Sequence, residues 1–110
     1  MSFTFNGREI LTDEEGFLKN QNDWSLELME EMSRKDGLVL NEDHRIIIRA
    51  VKDYFEEYAT TPAIRVLIKY LKTTGHADLA SSITLAKLFP AGAAKSAAKY
   101  AGLPKPVKCV

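Results

Sequence analysis

The stretch Asn41-Glu42-Asp43-His44-Arg45-Ile46-Ile47-Ile48-Arg49-Ala50-Val51-Lys52-Asp53-Tyr54-Phe55-Glu56-Glu57-Tyr58 decides the fold class of this chain. Ile46, Ile47, Ala50, Val51, Tyr54, Phe55 and Tyr58 recur at helical spacing and form one continuous apolar face. Asn41 is suited to cap such a helix, and Glu42 and Asp43 suit the partial positive charge of its first turn. A helix of this kind is stabilised mainly by what covers its apolar face, so it is expected at the centre of a mainly α body. His44 falls in its first turn, where a solvated or locally bonded ring fits better than a catalytic one.

Moving toward the N-terminus, Trp24, Leu28 and Met32 stand four apart with Met29 beside them, a helical stripe started by Asn22 or Asp23 and stopped near Gly37. Its Met and Trp side chains read as core. The polar run Lys19-Asn20-Gln21-Asn22 is expected to be irregular. Before it, Thr12-Asp13-Glu14-Glu15-Gly16 reads as a turn, and Phe17-Leu18 as a brief extended pairing. At the start of the chain, Phe3-Thr4-Phe5 and Arg8-Glu9-Ile10-Leu11 flank Asn6-Gly7, the dipeptide suited to the positive φ angles of a type I′ hairpin.

On the other side, Thr61 is placed to cap a helix with Pro62 at its first position, burying Ile64, Leu67, Ile68 and Leu71 and carrying Arg65, Lys69 and Lys72 on another face. After Thr73-Thr74-Gly75 a further helix is expected from about Ala77 to Leu88, and the two resemble a helix-turn-helix pair. This supports nucleic-acid recognition only weakly, because a chain of zero net charge has little general attraction for phosphate. Phe89-Pro90 ends that helix. Small residues between Ala91 and Ala101 form a last one that can press flat against the body, with Lys95 and Lys99 one turn apart.

The length of 110 residues fits one domain with one core and a surface site rather than an enclosed catalytic chamber. Its single Cys excludes an internal disulfide, and with only two histidines, His44 and His76, no zinc-ligand spacing appears. A reducing compartment is expected. No apolar run approaches the roughly 20 residues that span a bilayer, and Met1-Ser2-Phe3-Thr4-Phe5 lacks the regions of a signal peptide, so the expected location is cytoplasmic. The zero net charge hides a polarity: residues 1–57 hold 7 Lys+Arg against 14 Asp+Glu, and residues 58–110 hold 8 Lys+Arg against Asp78 alone.

The end of the chain, Ala101-Gly102-Leu103-Pro104-Lys105-Pro106-Val107-Lys108-Cys109-Val110, carries the chemistry. Gly102 is placed to end the last helix in the left-handed conformation, and Pro104 and Pro106 prevent its resumption. The expected organisation is a body over residues 1–102 and a flexible arm over 103–110. Six residue steps from Leu103 to Cys109 at about 3.1 Å each would carry the thiol about 19 Å. A free thiol of pKa ~8.5 is only about 3% thiolate at pH 7, and the thiolate is the nucleophile in sulfur exchange. Lys105 and Lys108 would raise that fraction and the carboxylate of Val110 would lower it, leaving activation to a partner's pocket. Cys109 is the expected acting residue, with Lys105 and Lys108 as helpers and Gly102, Pro104 and Pro106 setting its reach.

Leu88-Phe89-Pro90-x-Gly92-x-Ala94-Lys95, followed by Ala101-Gly102-Leu103-Pro104-Lys105-Pro106 and a penultimate Cys109, resembles the C-terminal signature of the DsrC/TusE family of sulfur carriers. Thr61-Pro62-Ala63-Ile64-Arg65, Phe5-x-Gly7-x-x-Ile10 and Glu15-Gly16-Phe17-Leu18 are also similar to that family, so the likeness spans nearly the whole chain. The resemblance implies a small orthogonal helical bundle with an N-terminal β-hairpin and a mobile arm whose penultimate cysteine carries sulfane sulfur. It implies no haem, iron–sulfur or other cofactor. A second family cysteine, eleven residues before the penultimate one, marks the branch that works with dissimilatory sulfite reductase; here that position is Ala98. The pattern looks like the TusE branch, which implies a TusBCD-like sulfur donor and an MnmA-like tRNA thiolase as acceptor. Gly92-Ala93-Ala94 departs from the more usual Gly-Pro-Ala of the family. The alternatives are a DsrC-like, gamma-subunit-like partner of a sulfite reductase system and a helix-turn-helix nucleic-acid-binding regulator.

Overall fold

The computed structural model describes residues 1–106, and Val107, Lys108, Cys109 and Val110 lie outside the described residues. Two strands open the chain, β1 (Ser2–Phe5) and β2 (Arg8–Leu11), followed by five α-helices: α1 (Leu26–Lys35), α2 (Glu42–Tyr58), α3 (Ile64–Thr73), α4 (Ser82–Leu88) and α5 (Ala93–Tyr100). Phe5 pairs with Arg8 and Phe3 with Ile10 across an antiparallel hairpin. Asn6 and Gly7 at its tip have φ of 52° and 77°, both positive as a two-residue type I′ turn requires. Ile10 is fully buried, and a single bridge between Thr12 and Leu18 extends the pairing.

The first helix begins later than its apolar stripe suggests. Ser25 is the cap: its extended backbone and its hydroxyl, which accepts from the Leu28 amide at 3.1 Å, satisfy the helix start. Asn22 and Asp23 instead belong to a short 3₁₀ turn over Gln21–Asp23, capped by Asn20. Trp24 therefore lies before α1 in extended backbone, free to point elsewhere. Leu28, Met29 and Met32 are buried core residues, as their spacing implies.

At the N-terminus of α2, the Asn41 side chain accepts from the His44 amide at 3.1 Å and His44 Nδ1 accepts from the Asn41 amide at 3.0 Å. With Nδ1 an acceptor, Nε2 carries the proton and donates to the Leu88 carbonyl at 2.7 Å. The ring also meets Phe89 edge-on at 5.1 Å, so the buried imidazole ties the start of α2 to the end of α4. The deep face of α2 is Ile47, Ile48, Ala50 and Val51. Ile46, Tyr54 and Phe55 are only half-buried and Tyr58 is exposed; Tyr54 stacks between Tyr58 and Tyr70 at the rim of α3.

Helix α3 starts at Ile64 with Ala63 as cap, whose methyl can make no side-chain hydrogen bond; Thr61 and Pro62, expected as cap and first helical residue, both precede it, and the Thr61 hydroxyl is engaged elsewhere. The helix expected over Ala77–Leu88 is split into a 3₁₀ turn (Ala77–Leu79) and α4, whose cap Ser81 accepts from the Thr84 amide. The small residues of α5 do what their size permits: Ala97, Ala98 and Ala101 are fully buried, and α5 contacts α1, α2, α3 and α4. No helix of the described residues is long and apolar enough to cross a membrane.

Replacing His44 by Ala removes the edge-on contact with Phe89 and leaves the Asn41 amide and the Leu88 carbonyl without this partner. We expect a loss of about 2–3 kcal/mol in urea unfolding with an unchanged m-value. A loss under ~0.5 kcal/mol would mean that the ring does not join α2 to α4.

Candidate functional site at the root of the C-terminal segment

Helix α5 ends in a paired hydrogen-bond motif. The Leu103 amide donates to the Ala98 carbonyl at 3.0 Å and the Gly102 amide to the Lys99 carbonyl at 3.1 Å, with Gly102 at φ 73°. A Cβ on Gly102 would lie 2.7 Å from Cδ1 of Trp24, so the indole rests directly on the turn. Its Nε1 donates to the Tyr100 carbonyl at 2.7 Å. The Lys52 ammonium sits 4.0 Å over the indole ring and 3.5 Å from the Ala101 carbonyl. Burial holds Lys52 below the usual lysine range, against the opposing pull of Glu56 and Asp53.

The chain after Gly102 continues along the body. Leu103, placed at the start of the arm by the sequence, is only 3% exposed, and burying such a side chain contributes about 2 kcal/mol. Pro104 is exposed, but its carbonyl accepts from Thr61 Oγ1 at 2.9 Å; Thr61 itself is 4% exposed. The ammonium of Lys105 reaches Glu15 Oε2 at 2.5 Å and Asp13 Oδ2 at 3.7 Å. Asp13 is preorganised for this, since its other oxygen accepts from the amides of Glu15 at 2.8 Å and Phe17 at 3.0 Å. Glu15 is also bonded by Lys95 of α5 at 3.0 Å.

Electrostatics follow from this geometry. Hydrogen bonds from Lys105 and then Lys95 hold the Glu15 carboxyl below the usual range, and the Glu15 bond holds Lys105 above its own. For Asp13 burial pushes upward, but the Phe17 and Glu15 amides and Lys105 together bring its carboxyl below the usual range. Depressed carboxyl values mean that these contacts are complete at neutral pH and are lost as pH falls through the lowered range. The sequence sets Lys95 and Lys99 one turn apart and names Lys105 as a helper of the thiol, and the structure gives each of the three an acidic partner. Lys95 faces Glu15, Lys99 binds Asp36 at 2.8 Å, and Lys105 faces Glu15 and Asp13. The basic second half thus binds the acidic first half.

The structure brings Gly102, Pro104 and Lys105 together with Trp24, Lys52, Thr61, Asp13 and Glu15, and leaves Pro106 half-buried at the edge of the described residues. Cys109 and Lys108, named from the sequence, lie outside them. Locally, Thr61 was legible as a cap and Asp13 and Glu15 as a turn; the partners they take here, Pro104 and Lys105, are tens of residues away. From Lys105 to Cys109 there are four residue steps, which covalent geometry limits to about 13–14 Å.

Gly102→Ala should be costly. The left-handed conformation costs an L-residue about 1–2 kcal/mol, and the new methyl must displace Trp24. We expect about 2–4 kcal/mol lower stability and a red-shifted emission of Trp24, the one tryptophan of the chain. Unchanged emission together with near-normal stability would contradict the close contact.

The profile of the family described as "DsrC like protein" matches residues 4–110. The protein named Sulfurtransferase TusE from Yersinia pseudotuberculosis is 44% identical over 106 residues, covering 96% of this chain and 98% of that protein. The Sulfurtransferase TusE of Escherichia coli K12 is 43% identical, with coverage of 96% and 97%. Among solved structures, the NMR structure of Allochromatium vinosum DsrC covers all of both chains at a TM-score of 0.88 and 41% identity. The oxidized gamma-subunit of the dissimilatory sulfite reductase (DsrC) from Archaeoglobus fulgidus does so at 0.82 and 36%. By the match of the family profile and by identity over nearly its full length, this chain belongs to the DsrC-like protein family.

Proposed function

We propose that this protein is a sulfurtransferase of the relay kind, which accepts sulfane sulfur as a persulfide on Cys109 and passes it on. The observation that carries the reading is the 43–44% identity, over almost all of both chains, to proteins named Sulfurtransferase TusE. The residues supply suitable chemistry: one thiol, Cys109, follows a segment that the body holds by Trp24, Thr61 and Glu15. In the forward step the Cys109 thiolate attacks the terminal sulfur of a donor persulfide. A new S–S bond forms on Cys109, the donor's S–S bond breaks, and the donor leaves as a thiolate. In the second step an acceptor thiolate takes the terminal sulfur in the same way and Cys109 is regenerated. Oxidation states balance without cofactor or metal, and no base on this chain is needed.

The donor in this reading is a TusBCD-like complex and the acceptor an MnmA-like enzyme that thiolates tRNA, acting in the cytoplasm. The short reach from Lys105 requires each partner to bring its own sulfur close to the body of this protein. A gamma-subunit-like role beside a sulfite reductase is the second reading, favoured by the fold of the solved relatives. It is the weaker one, because joining two thiols within one chain needs a second cysteine and the corresponding residue, Ala98, is an alanine buried in α5.

Incubation with a persulfide-loaded donor should add the mass of one sulfur atom to the protein, and Cys109→Ser should add none. Sulfur retained on the serine variant would overturn the assignment of the carrier residue.

A further inference from the structure

We infer that Asp13, Glu15 and Thr61 form a clasp that aims the thiol-bearing end of the chain at a protein donor, with Lys105 as its ionic latch and not as an activator of the thiol. The inference rests on the carrier reading above and assigns positioning residues to it. Two consecutive residues are held by two separate parts of the body: the Pro104 carbonyl by Thr61, in the connector before α3, and the Lys105 ammonium by Asp13 and Glu15, in the loop after β2. A single contact would fix a point and leave the chain free to swivel. Two contacts on adjacent residues fix the direction in which the chain leaves.

The clasp is built into the body. The amides of Glu15 and Phe17 lock Asp13, and Lys95 ties Glu15 to α5, so the loop that receives Lys105 does not depend on Lys105 for its shape. The four side chains Asp13, Glu15, Lys95 and Lys105 sum to zero charge. This cluster therefore adds little positive potential of its own to a thiolate four residues away. Lys105 and Glu15 are each about half exposed, at 50% and 41% of their side chains, so the latch is screened by salt and can open when a partner competes for it. Its effect belongs to the orientation of the encounter with a large partner, which a small reagent does not feel.

Three readouts on wild type, Lys105→Met, Lys105→Arg and the double variant Asp13→Asn with Glu15→Gln test this. The first is the NMR order parameter of the Lys105 amide, the second the rate of Cys109 with a small aromatic disulfide, and the third the rate of sulfur uptake from a persulfide-loaded TusBCD-type complex. In wild type the Lys105 amide should be as rigid as the helices, near an order parameter of ~0.85, and it should fall below ~0.6 in Lys105→Met and in the double variant. Uptake from the protein donor should slow about tenfold in both at unchanged thermal stability, and Lys105→Arg should restore both quantities. The small-disulfide rate should stay within about twofold throughout. Undiminished uptake in the double variant overturns the clasp, and so does an equal slowing of the small disulfide in Lys105→Met, which would make Lys105 an activator. If wild type takes no sulfur from the donor, the carrier reading fails, and the clasp then stands or falls on the order parameter alone.

Discussion

The contact between the indole of Trp24 and the backbone at Gly102 is the constraint on which the course of the chain beyond α5 depends. Residue 102 must lack a side chain twice over, because its φ is positive and because the indole occupies the space. The contact also needs Trp24 to stand outside α1, which the Ser25 cap arranges, and α5 to lie deep enough for its last carbonyls to meet the indole and Lys52. The alanines of α5 provide that depth, since a helix without bulk can contact four others at once. The bundle thereby delivers the chain to Thr61 and Glu15 in one orientation.

Much of this was legible in the residues. The period of α2, the Asn6-Gly7 turn and the helix-ending Gly102 each rest on local rules, and each was found where those rules put it. Two departures share a physical cause, which is that a side chain suited to a local bond serves a distant one instead or as well. Thr61 before Pro62 has the pattern of a cap, yet its hydroxyl bonds Pro104, 43 residues on. His44 does bond locally at Asn41, but Leu88 and Phe89 bury it, and nothing near it in the sequence announces them. The split of the Ala77–Leu88 helix follows the rule that displaced the start of α1: a serine with extended backbone caps more effectively than the apolar period propagates.

The charge polarity of the chain has a similar explanation. Seen in sequence, the acidic first half and basic second half suggest a polarised surface. Folded, three lysines of the second half, Lys95, Lys99 and Lys105, pair with acids of the loop after β2 and with Asp36. Exposed pairs of this kind add little stability, on the order of 0–1 kcal/mol each. Their value lies in direction: they join α5 and the segment beyond it to the loop after β2 and to the end of α1. Arg65 and Lys69 of α3 remain exposed and make no ion pair among the described residues.

The central claim is that the body extends its hold to the root of the thiol-bearing segment. Hydrogen exchange at the Leu103 amide, which donates to the Ala98 carbonyl, tests it most directly. If the root belongs to the body, this amide exchanges as slowly as that of Ala101 at the end of α5, opening only when α5 itself opens. Exchange at the rate of an unprotected peptide, with Ala101 still protected, would place the hinge before Leu103 and contradict the account.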